Sequence, residues 1–119
     1  MLAALPYGTE GAVGTTYNFN AELQYRVLDS WMRGEFAAAR AAQLATTKFV
    51  AMFANLESQV DGAYILKIHM DLIGQPMGPG RLPYTKPTDA GRALWKTAAL
   101  GWCNEFRAVA PSWCARIHA

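Results

Sequence analysis

Hydrophobic residues recur at helical spacing over most of this chain, and the first clear repeat follows Asn18. Either Asn18 or Asn20 suits the N-cap of a helix, because an asparagine oxygen accepts from the free amides of the first turn. One face of the repeat is apolar and the opposite face is charged, as shown by Leu23, Val27, Leu28 and Trp31 against Glu22, Arg26, Asp29 and Arg33. This pattern predicts an amphipathic helix that ends at Gly34.

Two further helices are predicted before residue 75. Residues 35–58 are rich in alanine and carry Phe49, Met52, Phe53 and Leu56 at helical spacing, which indicates a long, closely packed helix. Asp61 suits the cap of the next helix, and Gly74 and Pro76 suit its end. Its inward positions are predicted to be Ile65, Leu66, His69, Leu72 and Ile73.

The last third predicts a restrained connection and a fourth helix. Residues 75–87 hold four prolines and two glycines, a composition typical of an extended segment. Thr88 suits the cap of the helix that follows, and Pro111 is expected to close the pattern, with a possible break at Gly101. The apolar face of this helix is predicted to be Leu94, Trp95, Ala98, Trp102, Phe106 and Val109.

The beginning of the chain has a different pattern. Residues 1–5 suit the last turns of a helix closed by Pro6 and Gly8, and Glu10–Thr16, with β-branched residues between glycines, predicts the only strand. A buried strand needs partners for its backbone groups on both sides. One strand followed by four or five helices therefore indicates part of a larger α/β structure.

Composition excludes several classes of protein. With 52% hydrophobic and 17% charged residues, the 119-residue chain suits one soluble unit rather than a disordered chain. The net charge of +2 is not concentrated in any stretch, so no nucleic-acid partner is expected. Residues 1–6 lack the basic start of a secretory signal, and charges interrupt every apolar run, so no membrane association is expected.

The cysteines and histidines suggest no metal or cofactor. Cys103 and Cys114 lie outside any CxxC or Cys/His ligand spacing, which argues against a disulfide scaffold and a zinc site and favours a reducing cytoplasm. His69 falls on an apolar helix face and is predicted to be a hydrogen-bonded core or interface histidine. The tryptophans are predicted to be core residues, namely Trp31, Trp95, Trp102 and Trp113.

Three segments resemble one enzyme family. Residues 11–18 (GAVGTTYN) resemble the eighth strand of the dihydrodipicolinate synthase/N-acetylneuraminate lyase family, and its neuraminate branch in particular. Residues 33–39 (RGEFAAA) are similar to the family's turn between helices, and residues 76–83 (PMGPGRLP) to its C-terminal proline segment. The order and spacing of these segments match the family over nearly the whole chain.

This resemblance implies an α/β fold of which the chain is a C-terminal fragment. Residues 1–34 correspond to the end of helix 7, strand 8 and helix 8 of a (β/α)₈ barrel, and residues 35–119 to the C-terminal helices. The whole chain, residues 1–119, is then a single partial domain and mostly helical. A complete barrel of this class needs roughly 250 residues.

The resemblance also implies the chemistry of the complete enzyme. Family members cleave N-acetylneuraminate to pyruvate and N-acetylmannosamine through a Schiff base between pyruvate and a lysine on strand 6, assisted by a tyrosine on strand 5. Neither element lies in this sequence, so no catalytic residue is expected here and the isolated chain is expected to be inactive. The four lysines present, which fall on helices or in the proline-rich segment, are Lys48, Lys67, Lys86 and Lys96.

Substrate binding is the role that the resemblance leaves to this chain. The carboxyl end of strand 8 faces the active site in such barrels, which points to Gly14, Thr15 and Thr16. Thr15 stands where family members usually have a serine that contacts the polyol part of the substrate. The resemblance also implies that Ala63 and Tyr64, in the third predicted helix, lie where the family's C-terminal helix approaches the substrate tail. Gly11 and Gly14 have a second interpretation, as positions of close packing between strand 8 and its neighbours.

Three functions follow as hypotheses. The first is a part of an N-acetylneuraminate lyase-like enzyme that binds sialic acid and pyruvate and is a tetramer at full length. The second keeps the barrel but uses another 2-keto acid, as in dihydrodipicolinate synthesis. The third is a small helical interaction module whose alanine-rich helix packs on a partner, which requires that the chain fold on its own.

Overall fold

Helices form every regular element in the part of the chain that the structure describes. This structure, a computed structural model, describes residues 1–57, 62–84 and 86–117. A 3₁₀ helix at Leu2–Tyr7 is followed by α1 at Tyr17–Met32, α2 at Phe36–Glu57, α3 at Gly62–Leu72, α4 at Asp89–Phe106 and α5 at Pro111–Arg116. None of these helices is long and apolar enough to cross a lipid bilayer.

The predicted strand at Glu10–Thr16 is not formed. Residues 9–14 run without regular structure, Val13 is fully exposed, and the described residues contain no strand to pair with it. A strand without a neighbour forms no interstrand hydrogen bonds, and its backbone amides and carbonyls bond to water instead. A strand conformation therefore brings this segment no stabilisation. The strand predicted at Glu10–Thr16 thus has no partner strand within the described part of this chain.

The helix ends follow the sequence signals in most places. Gly34 and Gly74 end α1 and α3 in the left-handed region, with φ of 75° and 77°, where glycine is strongly favoured. The Thr88 hydroxyl accepts from the amide of Gly91 at 3.1 Å and so caps α4, as predicted. The predicted cap at Asp61 lies outside the described residues.

Three predicted boundaries are wrong. The N-cap of α1 is Thr16 rather than Asn18, which lies inside the helix. Asn20, the second candidate, has non-helical backbone angles at a kink where two helical stretches join, with φ of −127° and ψ of 37°. No break occurs at Gly101, because α4 continues to Phe106. Pro111 does not close the pattern but begins α5, where its missing amide hydrogen is not needed.

The core of the molecule is an aromatic cluster, which we define by Phe19, Phe49, Phe53, His69, Trp95, Trp102 and Trp113. It brings together residues from all five α-helices. Three of the four tryptophans are buried as predicted, whereas Trp31 is half-buried and packs on Phe36. Leu94, predicted to face the core, is exposed instead.

Cys103 and Cys114 form a disulfide between α4 and α5, so the expectation that argued against a disulfide scaffold is wrong. The reversal of the chain at residues 107–110 brings the two α-carbons to 5.5 Å, a distance that the 11-residue sequence separation does not reveal. Closing a loop of this length stabilises the fold by about 3 kcal/mol relative to the reduced chain. The cysteines therefore give no support to a reducing compartment.

Candidate functional site

Residues 14–18 form the turn that leads into α1. The amide of Tyr17 donates to the carbonyl of Gly14 at 3.0 Å, and the Asn18 side-chain amide donates to the carbonyl of Thr15 at 3.0 Å. A Cβ atom at position 14 would lie 3.0 Å from Cε1 of Tyr17, so the glycine allows the ring to approach the backbone. Close packing thus explains Gly14 in this chain.

A groove opens next to this turn, and we call it the Thr15 groove. It has a volume of about 360 Å³ and is lined by Thr15, Asn18, Phe19, Leu66, Lys67, Met70 and Met77. The turn, the start of α1, one face of α3 and the proline-rich segment therefore meet here. The groove combines a largely apolar wall with a hydroxyl, an amide and an ammonium group.

The predicted binding residues are only partly brought together. Thr15 lines the groove and is exposed to ligand, whereas Gly14 and Thr16 do not line it. Ala63 and Tyr64 belong to the first turn of α3, but their side chains lie outside the described residues. Among the predicted site residues whose side chains the structure describes, the hydroxyl of Thr15 is thus the one available for hydrogen bonding in the groove.

Lys67 is a polar member of the groove that the sequence did not indicate as a binding residue. Its Nζ atom donates to the carbonyl of Met77 at 3.2 Å, which ties α3 to the proline-rich segment. In the sequence, Lys67 lies between the positions of α3 that are predicted to face inward, so it resembles an ordinary surface lysine. Its place in the groove depends on how residues 75–84 fold back on α3, for which the sequence carries no signal.

Apart from Lys67, no ionisable group of the described residues lines the Thr15 groove. The described residues hold no group of His, Cys, Asp or Glu that could bind a metal ion. The pKa of His69 is lowered to about 3, mainly because burial disfavours the charged ring and secondly because of the positive charge of Arg116. His69 is enclosed by the aromatic cluster and does not line the groove. Its role in this structure is the buried, hydrogen-bonded one predicted from its spacing.

Comparison of the sequence with known proteins identifies a family. The Dihydrodipicolinate synthetase family matches residues 1–99, which is most of the chain. The chain belongs to this family. The membership predicted from residues 11–18 is therefore confirmed, and the mostly helical structure is consistent with a part of the family fold. No solved structure matches the chain.

Individual members of the dihydrodipicolinate synthetase family extend the comparison. The chain is 35% identical over 104 residues to the N-acetylneuraminate lyase of Gallus gallus, covering 86% of this chain and 33% of that protein. It is 33% identical over 102 residues to that of Homo sapiens, with 82% and 31% covered, and 30% identical over 104 residues to that of Rhizobium meliloti, with 85% and 33% covered. The chain thus spans about a third of the length of these curated relatives.

Proposed function

We propose that this chain is the C-terminal part of an N-acetylneuraminate lyase-like aldolase and that it supplies part of the substrate-binding surface. The observation that carries the proposal is the position of Thr15, which follows the glycines of the GAVGTTYN segment and lines a groove of about 360 Å³. The similarity to lyases of animals and a bacterium supports this branch of the family over a dihydrodipicolinate synthase.

In this proposal, residues 1–34 are the end of helix 7, strand 8 and helix 8, and residues 35–119 are the C-terminal helices. The start of α1 at Tyr17, shortly after the glycine-flanked segment, supports the order strand then helix. The segment predicted as a strand, Glu10–Thr16, pairs as strand 8 once neighbouring strands supply partners for its backbone groups. Thr15 then stands at the carboxyl end of that strand, which is the active-site end of such barrels.

The proposed ligands of the whole enzyme are N-acetylneuraminate and pyruvate, and its proposed assembly is a tetramer. Exposed apolar side chains support further packing partners for this chain, because large hydrophobic residues left in water favour burial. The most exposed of these are Tyr7, Val13, Met32 and Leu82, the last in the proline-rich segment.

The chain alone is proposed to lack Schiff-base chemistry, because such a lysine needs a desolvated pocket that holds its amine unprotonated. None of the lysines in the described residues is buried; Lys48 pairs with Glu105, and Lys86 is exposed. After incubation with pyruvate and borohydride, mass spectrometry is expected to show an unmodified chain. A full-length N-acetylneuraminate lyase treated in parallel is the positive control, and a reduced pyruvate adduct on any lysine of this chain would contradict the expectation.

Binding by the Thr15 groove is tested by replacing Thr15 with valine, which keeps the shape of the side chain and removes its hydroxyl. Loss of one hydrogen bond to a sugar hydroxyl is expected to weaken binding of N-acetylneuraminate about fivefold. Titration of the 119-residue chain followed by NMR chemical shifts measures this change.

Thr97→Val is the matched control for this experiment, because the Thr97 hydroxyl is exposed and donates to the carbonyl of Ala93 within α4. This variant is expected to bind like the unmodified chain. The proposal fails if the unmodified chain does not bind N-acetylneuraminate, or if Thr15→Val binds it equally well.

A further inference from the structure

α5 is the shortest α-helix among the described residues, and its neighbours hold it in position. A helix of six residues is not stable in isolation, because its few hydrogen bonds do not repay the ordering of the first turn. The indole N–H of Trp113 donates to Nε2 of His69 at 3.3 Å, and Nη2 of Arg116 donates to the carbonyl of Phe19 at 3.2 Å. These hydrogen bonds join α5 to α3 and to α1.

The disulfide restrains α5 more than the rest of the fold. It closes the loop from Cys103 to Cys114, which contains the end of α4, the reversal at residues 107–110 and the first half of α5. A cross-link limits the conformational freedom of the residues inside its loop, and α1, α2 and α3 lie outside this one. Cleavage of the S–S bond is therefore expected to loosen α5 and to leave the packing of α1 on α2 in place.

α5 is linked to the Thr15 groove through a series of rings. The ring of His69 lies nearly parallel to that of Trp113, with 8° between their planes and centroids 5.4 Å apart. The same His69 ring lies 4.1 Å, centroid to centroid, from the ring of Phe19, which lines the groove. Because the Phe19 carbonyl also accepts from Arg116, the position of this groove residue depends on α5 through its side chain and its backbone.

We propose that α5 and the Cys103–Cys114 disulfide form a redox-sensitive switch. The disulfide holds α5 in contact with Phe19, and reduction by a dithiol releases α5 and loosens the wall of the Thr15 groove. The existence of this switch does not depend on which ligand the groove takes. Its effect on ligand binding rests on the proposed function.

Reduction proceeds by two thiol–disulfide exchanges. Cys114 is 7% exposed and Cys103 is 1% exposed, so Sγ of Cys114 is the atom more open to attack. A thiolate of the reductant bonds to this sulfur, the S–S bond breaks, and Cys103 leaves as a thiolate that takes up a proton. The second thiolate of the reductant then bonds to its first sulfur, Cys114 leaves and takes up a proton, and the dithiol is oxidised to a cyclic disulfide.

Hydrogen exchange followed by NMR tests the release of α5, on the oxidised chain and on the chain reduced with dithiothreitol. The indole N–H of Trp113 is expected to exchange at least about tenfold faster after reduction, because its bond to His69 opens with α5. The indole N–H of Trp102, which donates to the Ala45 carbonyl of α2, is the internal control and is expected to change by less than about threefold.

The double variant Cys103→Ala/Cys114→Ala is the matched control for the reductant. Its Trp113 indole is expected to exchange as fast as in the reduced chain, with or without dithiothreitol. Reduction of the unmodified chain needs no substitution, so the test stands even if this variant folds poorly. Equal acceleration of Trp113, Trp102 and the backbone amides of α2 would identify a brace of the whole fold and overturn the switch. Unchanged exchange of Trp113 overturns it as well.

Methyl NMR tests the link from α5 to the groove without any ligand. The methyl signals of Thr15 and Met77, which line the groove with Phe19, are expected to shift on reduction, because the Phe19 ring moves. The methyl signal of Met32, exposed at the end of α1 and outside the groove, is expected to stay in place. Unchanged Thr15 and Met77 signals overturn the link.

The effect on binding is measured with N-acetylneuraminate as the probe. The reduced chain is expected to bind it at least about fivefold more weakly than the oxidised chain, since the groove loses a fixed wall. Equal affinities overturn the control of binding by α5. If the oxidised chain does not bind the probe, the proposed function fails, whereas the exchange and methyl measurements still decide whether the switch exists.

Discussion

Replacing Phe49 with alanine is expected to lower the free energy of unfolding by about 3–5 kcal/mol, the usual cost of removing a buried phenylalanine ring. Phe49 is fully buried at the centre of the aromatic cluster. Its ring centroid lies 5.0–5.9 Å from those of five neighbours, Phe19, Phe53, His69, Trp102 and Trp113. These neighbours come from α1, α2, α3, α4 and α5, so a cavity at this point loosens the contacts of every α-helix.

Urea unfolding followed by tryptophan fluorescence measures this loss. Val50→Ala is the matched control, because Val50 is the next residue of α2 and is 45% exposed. That variant is expected to change the free energy of unfolding by less than about 1 kcal/mol. The free energy of unfolding of a domain is only about 5–15 kcal/mol, so Phe49→Ala is expected to remove a large share of it.

Phe49→Leu covers the case in which the alanine variant does not fold. Leucine refills most of the space, so a smaller loss, of about 1 to 2 kcal/mol, is expected. Equal stabilities for Phe49→Ala and Val50→Ala would show that the aromatic cluster does not hold the helices together.

Helical periodicity located the interior of this fold well. Phe49 and His69 were both predicted to face the core, since a helix buries residues that recur three or four positions apart. Gly34, Gly74 and Thr88 marked helix ends correctly, because the left-handed φ of glycine and the hydroxyl of threonine act within one turn. Signals of this kind are local and need no knowledge of the rest of the molecule.

Features that depend on distant parts of the chain were not predictable. The sequence predicts a strand at Glu10–Thr16 that needs a partner, and the described residues contain no strand to pair with it. The disulfide of Cys103 and Cys114 depends on how α5 folds back on α4. The contribution of Lys67 to the Thr15 groove likewise depends on the path of the proline-rich segment.

Acid is expected to destabilise the fold through His69, at pH values where carboxylates are still mostly ionised. The His69 ring is fully buried and stacks on Trp113, with centroids 5.4 Å apart. Its Nε2 accepts from the indole N–H of Trp113 at 3.3 Å, so the neutral ring carries its proton on Nδ1, which has no partner among the described residues. Protonation therefore puts a charge into an aromatic environment in which no anion of the described residues balances it.

The sign of the effect follows from the two pKa values. Burial, and secondly the charge of Arg116, lowers the pKa of His69 from 6.5 to about 3 in the folded chain. Between these values the unfolded chain binds one more proton than the folded chain, so stability rises with pH. The contribution is complete above pH 6.5 and is lost as the pH falls towards 3, at a rate of about 1.4 kcal/mol per pH unit.

Urea unfolding at pH 7 and at pH 4.5 is expected to show a loss of about 2 to 3 kcal/mol that is due to His69. The matched variant is His69→Gln, which keeps an acceptor for Trp113 but does not titrate. It is expected to be less stable than the unmodified chain at pH 7, because glutamine does not fill the ring's place between Phe19 and Trp113. The difference in stability between the two chains should shrink by this amount on acidification, because only the unmodified chain loses the histidine contribution. If the difference stays constant from pH 7 to pH 4.5, His69 is not held neutral by its surroundings, and the aromatic cluster is open enough to admit water.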